Sequence, residues 1–154
     1  MKLLDRHGYR SDDFGRSIVP LSELATTRGA DAVAVANTTD VEALTPYFQQ
    51  LALIAIDFPS FADGRGFSLA RRLRRAGFGG RLRAVGPLIP DQAPHAFACG
   101  FDEIQTPDAN ERRHSEEHWR NAPHAVSPGY QPDYASQPSI FAQRKAARQG
   151  VSHA

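Results

Sequence analysis

The stretch Ala62-Asp63-Gly64-Arg65-Gly66-Phe67-Ser68 concentrates residue types that can hold an anion. It opens onto an apolar-periodic run, so its amides fall at a helix start, where they lack partners and carry a partial positive charge. Gly64 and Gly66 would let the backbone come close to a ligand, while Arg65 offers a two-pronged donor and Ser68 a hydroxyl. Sulfite, sulfate or phosphate suits that chemistry. The plainer reading is that Asp63 or Ser68 caps the helix and Arg65 pairs with a nearby carboxylate.

Arg65, Arg71, Arg72, Arg74, Arg75, Arg81 and Arg83 lie between Asp63 and Asp91 with no acid among them. They read as an attraction for an anionic ligand or acidic partner, or as a solvated face balanced by carboxylates from elsewhere. The formal net charge of +1 favours the second. Arg83 stands apart because it lies in a β-prone run, where it must find a specific partner. Asp57, Asp63 and Asp91 are the candidates. The rigid Gly86-Pro-Leu-Ile-Pro-Asp91-Gln92 loop follows that run, and Asp91 either orients Arg83 or a ligand, or caps the next helix. The expected anion site is therefore Gly64, Arg65, Gly66, Ser68 and Arg83, supported by Asp57, Gly86, Asp91 and Gln92. If the protein is an enzyme, Asp63 is its candidate acid or base.

Three other features carry less. Cys99 sits just before a helix-ending glycine and reads as packing, with nothing nearby to activate its thiol. His114-Ser-Glu-Glu-His118 matches a zinc-peptidase spacing, but its helix is polar all round and a metal is not expected. Asp57 and Asp63-Gly64 echo the phosphoacceptor half of a receiver domain. Gly86 and Gln105 then stand where the switch hydroxyl and the lysine belong, so phosphotransfer is not expected.

The elements that would position these residues alternate strand and helix from Asp31 onward. Ala32–Ala36 reads as a strand. Thr39-Asp-Val-Glu42 has capping-box spacing before a helix presenting Val41, Leu44 and Phe48, with Pro46 limiting its regularity. Leu51–Ile56 is apolar on both faces, the pattern of a central parallel strand covered by helices on each side. A turn-rich loop over residues 58–67 precedes a helix from about Ser68 to Ala76. Leu82–Val85 is the next strand, Asp91 the cap of a helix ending at Gly100, and Phe101–Gln105 the last short strand. Short connections between such units predict a small, mostly parallel α/β sheet. Ligands of such sheets bind at the carboxyl ends of the strands, here the loops at Asn37, Asp57–Gly66 and Gly86–Asp91. Before Asp31 the chain is irregular, with short strands at Met1–Leu4 and Ser17–Leu21 around the polar Gly8–Gly15 stretch.

The 154 residues suit one domain over residues 1–120, with its motif core at 58–104. Residues 121–154 read as an extended arm and a disordered tail. A single cysteine excludes an intrachain disulfide or cysteine-ligated cluster. The near-zero net charge gives no reason to expect nucleic acid or an anionic membrane. Neither a signal-peptide core nor a spanning segment is apparent, and the expected setting is the cytoplasm.

Residues 58–104 resemble the bacterial domain of unknown function 934. The resemblance rests on Phe58-Pro59, Phe61, Asp63 through Ser68, Ala70, Leu73-Arg74, Leu82 through Gly86, Asp91-Gln92 and Gly100-Phe101-Asp102. Tyr130-Gln131 matches a closing tyrosine-glutamine pair. The resemblance implies a protein encoded beside assimilatory sulfite reductase and labelled an oxidoreductase of sulfite reduction, with no established catalytic residue. Gly64-Arg-Gly66 lacks the third glycine of a dinucleotide loop, and no cofactor is expected. The expected role is an accessory protein that binds a small oxyanion or docks on the reductase, or another sulfur-assimilation protein, through an arginine-rich edge. The alternatives are an enzyme acting on an anionic substrate and a scaffold without ligand.

Overall fold

The computed structural model describes residues 1–110 and 114–122. Its strands are β1 (Lys2–Asp5), β2 (Gly8–Arg10), β3 (Val19–Pro20), β4 (Ala32–Ala36), β5 (Leu53–Asp57), β6 (Arg81–Val85) and β7 (Glu103–Thr106). They form one sheet in the order β2-β1-β7-β6-β5-β4-β3. Strands β3 to β7 run parallel, and β1 pairs antiparallel with both β7 and β2. The helices are α1 (Leu21–Leu24), α2 (Arg65–Arg75), α3 (Ala93–Ala98) and α4 (Glu116–Asn121). The mostly parallel α/β sheet expected from the alternating pattern is present.

The parallel strands stand in chain order, so each crossover steps in the same direction. Crossovers of one hand then place every connection on the same face of the sheet. That face holds the main core, where Val33, Ile54, Ile56, Leu82 and Ile104 meet Phe67, Leu69 and Leu73 of α2, Phe97 of α3 and Trp119 of α4. Among the described residues the other face carries no helix. Ala32, Leu53 and Ala55 pack there beneath Phe14 and Ile18 of the irregular residues 11–18, which link β2 to β3 across the sheet. The expectation of helices on both sides of β5 is thus corrected. Both faces of β5 are apolar because a loop, not a second helical layer, covers Leu53 and Ala55. A strand order without reversal in its parallel part also lacks the switch-point crevice of doubly wound folds.

Three local expectations change. The helix predicted after Thr39 is a pair of 3-10 turns at Val41–Ala43 and Thr45–Tyr47, with no side-chain cap at Asp40. Pro46 explains the break, since it lacks the amide a continuing helix needs. Helix α2 begins at Arg65 instead of Ser68. Asp91 caps nothing: it lies inside the 3-10 turn Pro90–Gln92 that leads into α3. In the N-terminal part, the polar stretch from Gly8 contributes strand β2 where irregular chain is expected. The arm and tail expected over residues 121–154 lie, beyond Ala122, outside the described residues. Among the described residues no helix is long and apolar enough to cross a membrane, and no group of three or more His, Cys, Asp or Glu is placed to hold a metal ion.

Candidate functional site at the strand tips

Chain leaving β5 enters a loop anchored by Phe58, whose ring is buried against Phe67 and Phe101 at centroid distances of 5.0 and 5.9 Å. This ring explains two motif glycines. A Cβ on Gly66 would stand 2.6 Å from Phe58 Cε2, and one on Gly86 would be 3.0 Å from Phe58 Cβ and closer still to its carbonyl oxygen. Gly86 also adopts φ 143°, which L side chains rarely take. Both glycines let Phe58 seat between α2 and the end of β6, and this packing accounts for them without a ligand.

Asp63 and Arg65 form a closed pair. The Arg65 guanidinium donates to the Asp63 carboxylate from Nη2 at 2.6 Å and from Nε at 2.9 Å, and the Arg65 backbone amide donates at 3.2 Å. Asp63, not Ser68, therefore receives an amide of the first turn of α2. The Arg65 guanidinium, helped by the Asn37 amide, holds the Asp63 carboxyl far below the usual carboxylate range. Asn37 directly follows β4 and is buried, yet its Nδ2 makes no hydrogen bond of good geometry among the described residues. Its nearness to Asp63 relieves that donor only in part. Asn37 lies in the first of the three strand-end loops where a ligand is expected, though it is not among the expected site residues.

Around this pair the surface is open. Phe61 is 56% exposed, unusual for a large aromatic, while its carbonyl accepts from Gln92 Nε2 at 2.8 Å. Gln92 Oε1 in turn accepts from the Ile89 amide at 3.2 Å, so this side chain ties the two strand-tip loops together. Ser68, Asp57 and Asp91 are exposed, and their side chains have no partner among the described residues. Gly64 is the exposed N-cap position of α2.

Arg83 is elsewhere. It sits on β6 in register with Ala55 and Glu103, on the helix-free face, and is 1% exposed. Its Nε donates to Glu103 at 2.7 Å, and its Nη1 and Nη2 grip the Asp12 carboxylate at 2.7 and 2.8 Å. Burial opposes the Arg83 charge, but these hydrogen bonds outweigh it and raise its pKa. The expected shared vacancy between Arg65 and Arg83 is therefore absent: each guanidinium is taken by carboxylates, on different parts of the fold. Asp57, Asp63 and Asp91, the expected partners of Arg83, are replaced by Asp12, Glu103 and the more distant Gln105. Nothing in the polar run around Asp12 signals that contact, because residues 11–18 reach Arg83 only through the tertiary crossing.

Carboxylates from elsewhere also meet Arg74 and Arg81, through Asp102 and Asp13, each at 2.7 Å. What is left is the outer face of α2. Arg65, Ser68, Arg72 and Arg75 follow one another at helical spacing along it, all exposed. Arg72 has Glu42 at 3.8 Å, and Arg75 has no carboxylate partner among the described residues. A groove of about 470 Å³ lies at the opposite edge, beside the amino end of β4, and includes none of the expected site residues.

The described fold is thus a mostly parallel α/β sheet with an exposed aromatic in the loop that leads into α2 and a row of exposed arginines along that helix, of which Arg65 and Arg72 face carboxylates and Arg75 does not. The chain belongs to the family described as bacterial protein of unknown function (DUF934), whose model matches residues 32–141. No curated protein and no solved structure matches the chain.

Proposed function

We propose that this protein is a non-catalytic accessory component of assimilatory sulfite reduction, docking on the reductase or a neighbouring sulfur-assimilation protein in the cytoplasm. The contact surface is Phe61 at the strand tips together with Arg65, Arg72 and Arg75 on α2. The pathway is suggested by the family to which the chain belongs, through the sulfite-reduction role its resemblance implies. The observation that carries the docking surface is the 56% exposure of Phe61 in the loop that leads into α2. Aromatic and arginine side chains together are the usual anchors of protein contacts, and the row favours an acidic counterpart.

A catalytic role for Asp63 draws no support from its surroundings. A carboxylate held ionised by Arg65 is a weak base and, at neutral pH, has no proton to give. An oxyanion clamp shared by Arg65 and Arg83 lacks its geometry.

The test is association of the purified full-length chain with purified sulfite reductase, measured by titration calorimetry. Phe61→Ala and the double variant Arg72→Glu/Arg75→Glu should each weaken binding at least about tenfold while leaving the circular dichroism spectrum unchanged. Equal affinity for wild type and both variants would remove this surface from the interface. No measurable binding at all would remove the reductase as the partner.

A further inference from the structure

We propose that the outer edge of the Arg83 guanidinium is a binding site for a small oxyanion, and that Asp12 occupies it as an internal stand-in. This reading does not depend on the docking surface of α2, which is a different part of the molecule.

The two sides of Arg83 are built differently. On the inner side, Nε is bound by Glu103, which is itself 1% exposed and lies beside Arg83 on β7. That bond belongs to the sheet. On the outer side, Nη1 and Nη2 hold the two oxygens of a single carboxylate, at 2.7 and 2.8 Å. This is the fork geometry with which arginine takes carboxylates and other oxyanions. The carboxylate comes from Asp12, which is 45% exposed and lies in a segment with no helix or strand. Withdrawing it opens Nη1 and Nη2 at the further loss of one turn bond, the Phe14 amide to Asp12 Oδ1 at 3.1 Å, while Arg10 and Arg81 still hold the neighbouring Asp13.

The surroundings offer a further donor. Arg81, already paired with Asp13 at 2.7 Å, lies two residues before Arg83 on the same face of β6, and Gln105 Oε1 is 3.3 Å from Arg83 Nη1. Rotation of that amide by half a turn would present its NH2 group to a third oxygen. The next row of the helix-free face is open enough for access, since Asp57 and Ala36 are exposed and Val85 and Gln105 are half-buried. The shared chemistry is two oxygens on one central atom. Acetate and sulfate both offer it, the first planar and the second tetrahedral.

The experiment is calorimetric titration of sodium sulfate, and separately sodium acetate, into the full chain at constant ionic strength made up with chloride. Asp12→Ala removes the tethered competitor and should tighten binding of at least one anion by about tenfold relative to wild type. Asp12→Asn, which keeps the size of the side chain but not its charge, should move affinity in the same direction. In the triple variant Asp12→Ala/Arg83→Met/Glu103→Leu, the buried ion pair is replaced by apolar groups, and the binding should disappear. Sulfate preferred over acetate makes the ligand a free tetrahedral oxyanion; acetate preferred makes it a carboxylate, and either result supports the site. The proposal is overturned if both Asp12 variants bind no more tightly than wild type, or if the triple variant binds as well as Asp12→Ala. It is also overturned if both Asp12 variants unfold, because Asp12 is then an obligate part of the fold.

Discussion

The ring of Phe58 occupies the space that a side chain on Gly66 would need, with Cε2 only 2.6 Å from the position of an added Cβ. Glycine inside a helix ordinarily costs about 1 kcal/mol relative to alanine. Here that cost is outweighed by the seat it gives a ring that also touches Phe67 and Phe101. Gly66→Ala should therefore destabilise the protein, by on the order of 1–3 kcal/mol, through overpacking. Gly79→Ala, where an added Cβ meets nothing within 4 Å, should stay within about 0.5 kcal/mol of wild type. Urea denaturation of the two variants checks the contrast, and equal midpoints would show that the ring has room to move.

Arg83 and Glu103 are buried together, and Arg81 is the other cation near Glu103, at 3.6 Å. Arg83→Met should cost about 3 kcal/mol, because it leaves the buried Glu103 with only that longer contact. Arg83→Met/Glu103→Leu should recover most of that loss, since apolar replacement of a buried ion pair is often neutral or better. Chemical denaturation of both variants gives the answer, and a double variant no more stable than the single one would contradict it.

Arg74 closes the end of α2 onto the strands behind it. Its Nε donates to the Gly100 carbonyl at 3.0 Å, Nη1 to the Phe78 and Gly80 carbonyls at 2.8 and 2.7 Å, and Nη2 to Asp102 at 2.7 Å. Lysine keeps the charge but not the planar fork, and cannot reach all four acceptors. Arg74→Lys should lose about 2–3 kcal/mol, close to the effect of several partly buried hydrogen bonds. Thermal unfolding measures it; a lysine variant that melts with wild type would show that charge alone is enough.

Stability should fall with acid in a defined window. Arg83 lowers the pKa of Asp12, Arg81 that of Asp13, and Arg65 that of Asp63. Each folded-state pKa lies below the unfolded value, so each contribution is full above the ordinary carboxylate range. It fades as pH drops through that range towards the folded pKa. Denaturation midpoints for wild type should decline below about pH 4. Asp12→Asn/Asp63→Asn should start lower at pH 7 and decline less. Parallel curves for the two proteins would refute the linkage.

The parallel strands were legible because their residues are apolar on both faces and bounded by turn residues, as Ala32–Ala36 and Leu53–Asp57 are. What covers the second face was not legible. An apolar run such as Leu53-Ile-Ala-Ile56 looks the same whether a helix or a loop lies over it, and only the order of the strands separates the two. In the candidate site, the packing of Cys99 followed from local sequence, and a carboxylate partner for Arg65 was one of two readings open there, without Asp63 being singled out as that partner. The partners of Arg83 did not follow from it, because Asp12 is 71 positions away and lies in a segment without periodicity. Gly66 and Gly86 are ambiguous in the sequence for a related reason. Close approach of backbone to a ligand and close approach to a buried aromatic ring both demand glycine.

Strand β3 consists of Val19 and Pro20 alone, at one end of the sheet. Proline has no amide hydrogen to offer, and two residues make too short a template for another strand to zip onto. At the opposite end, β2 is only three residues long and α4 lies against it. Neither margin invites backbone-to-backbone growth, so ribbon-like polymerisation is disfavoured, and recognition of another molecule falls to side chains.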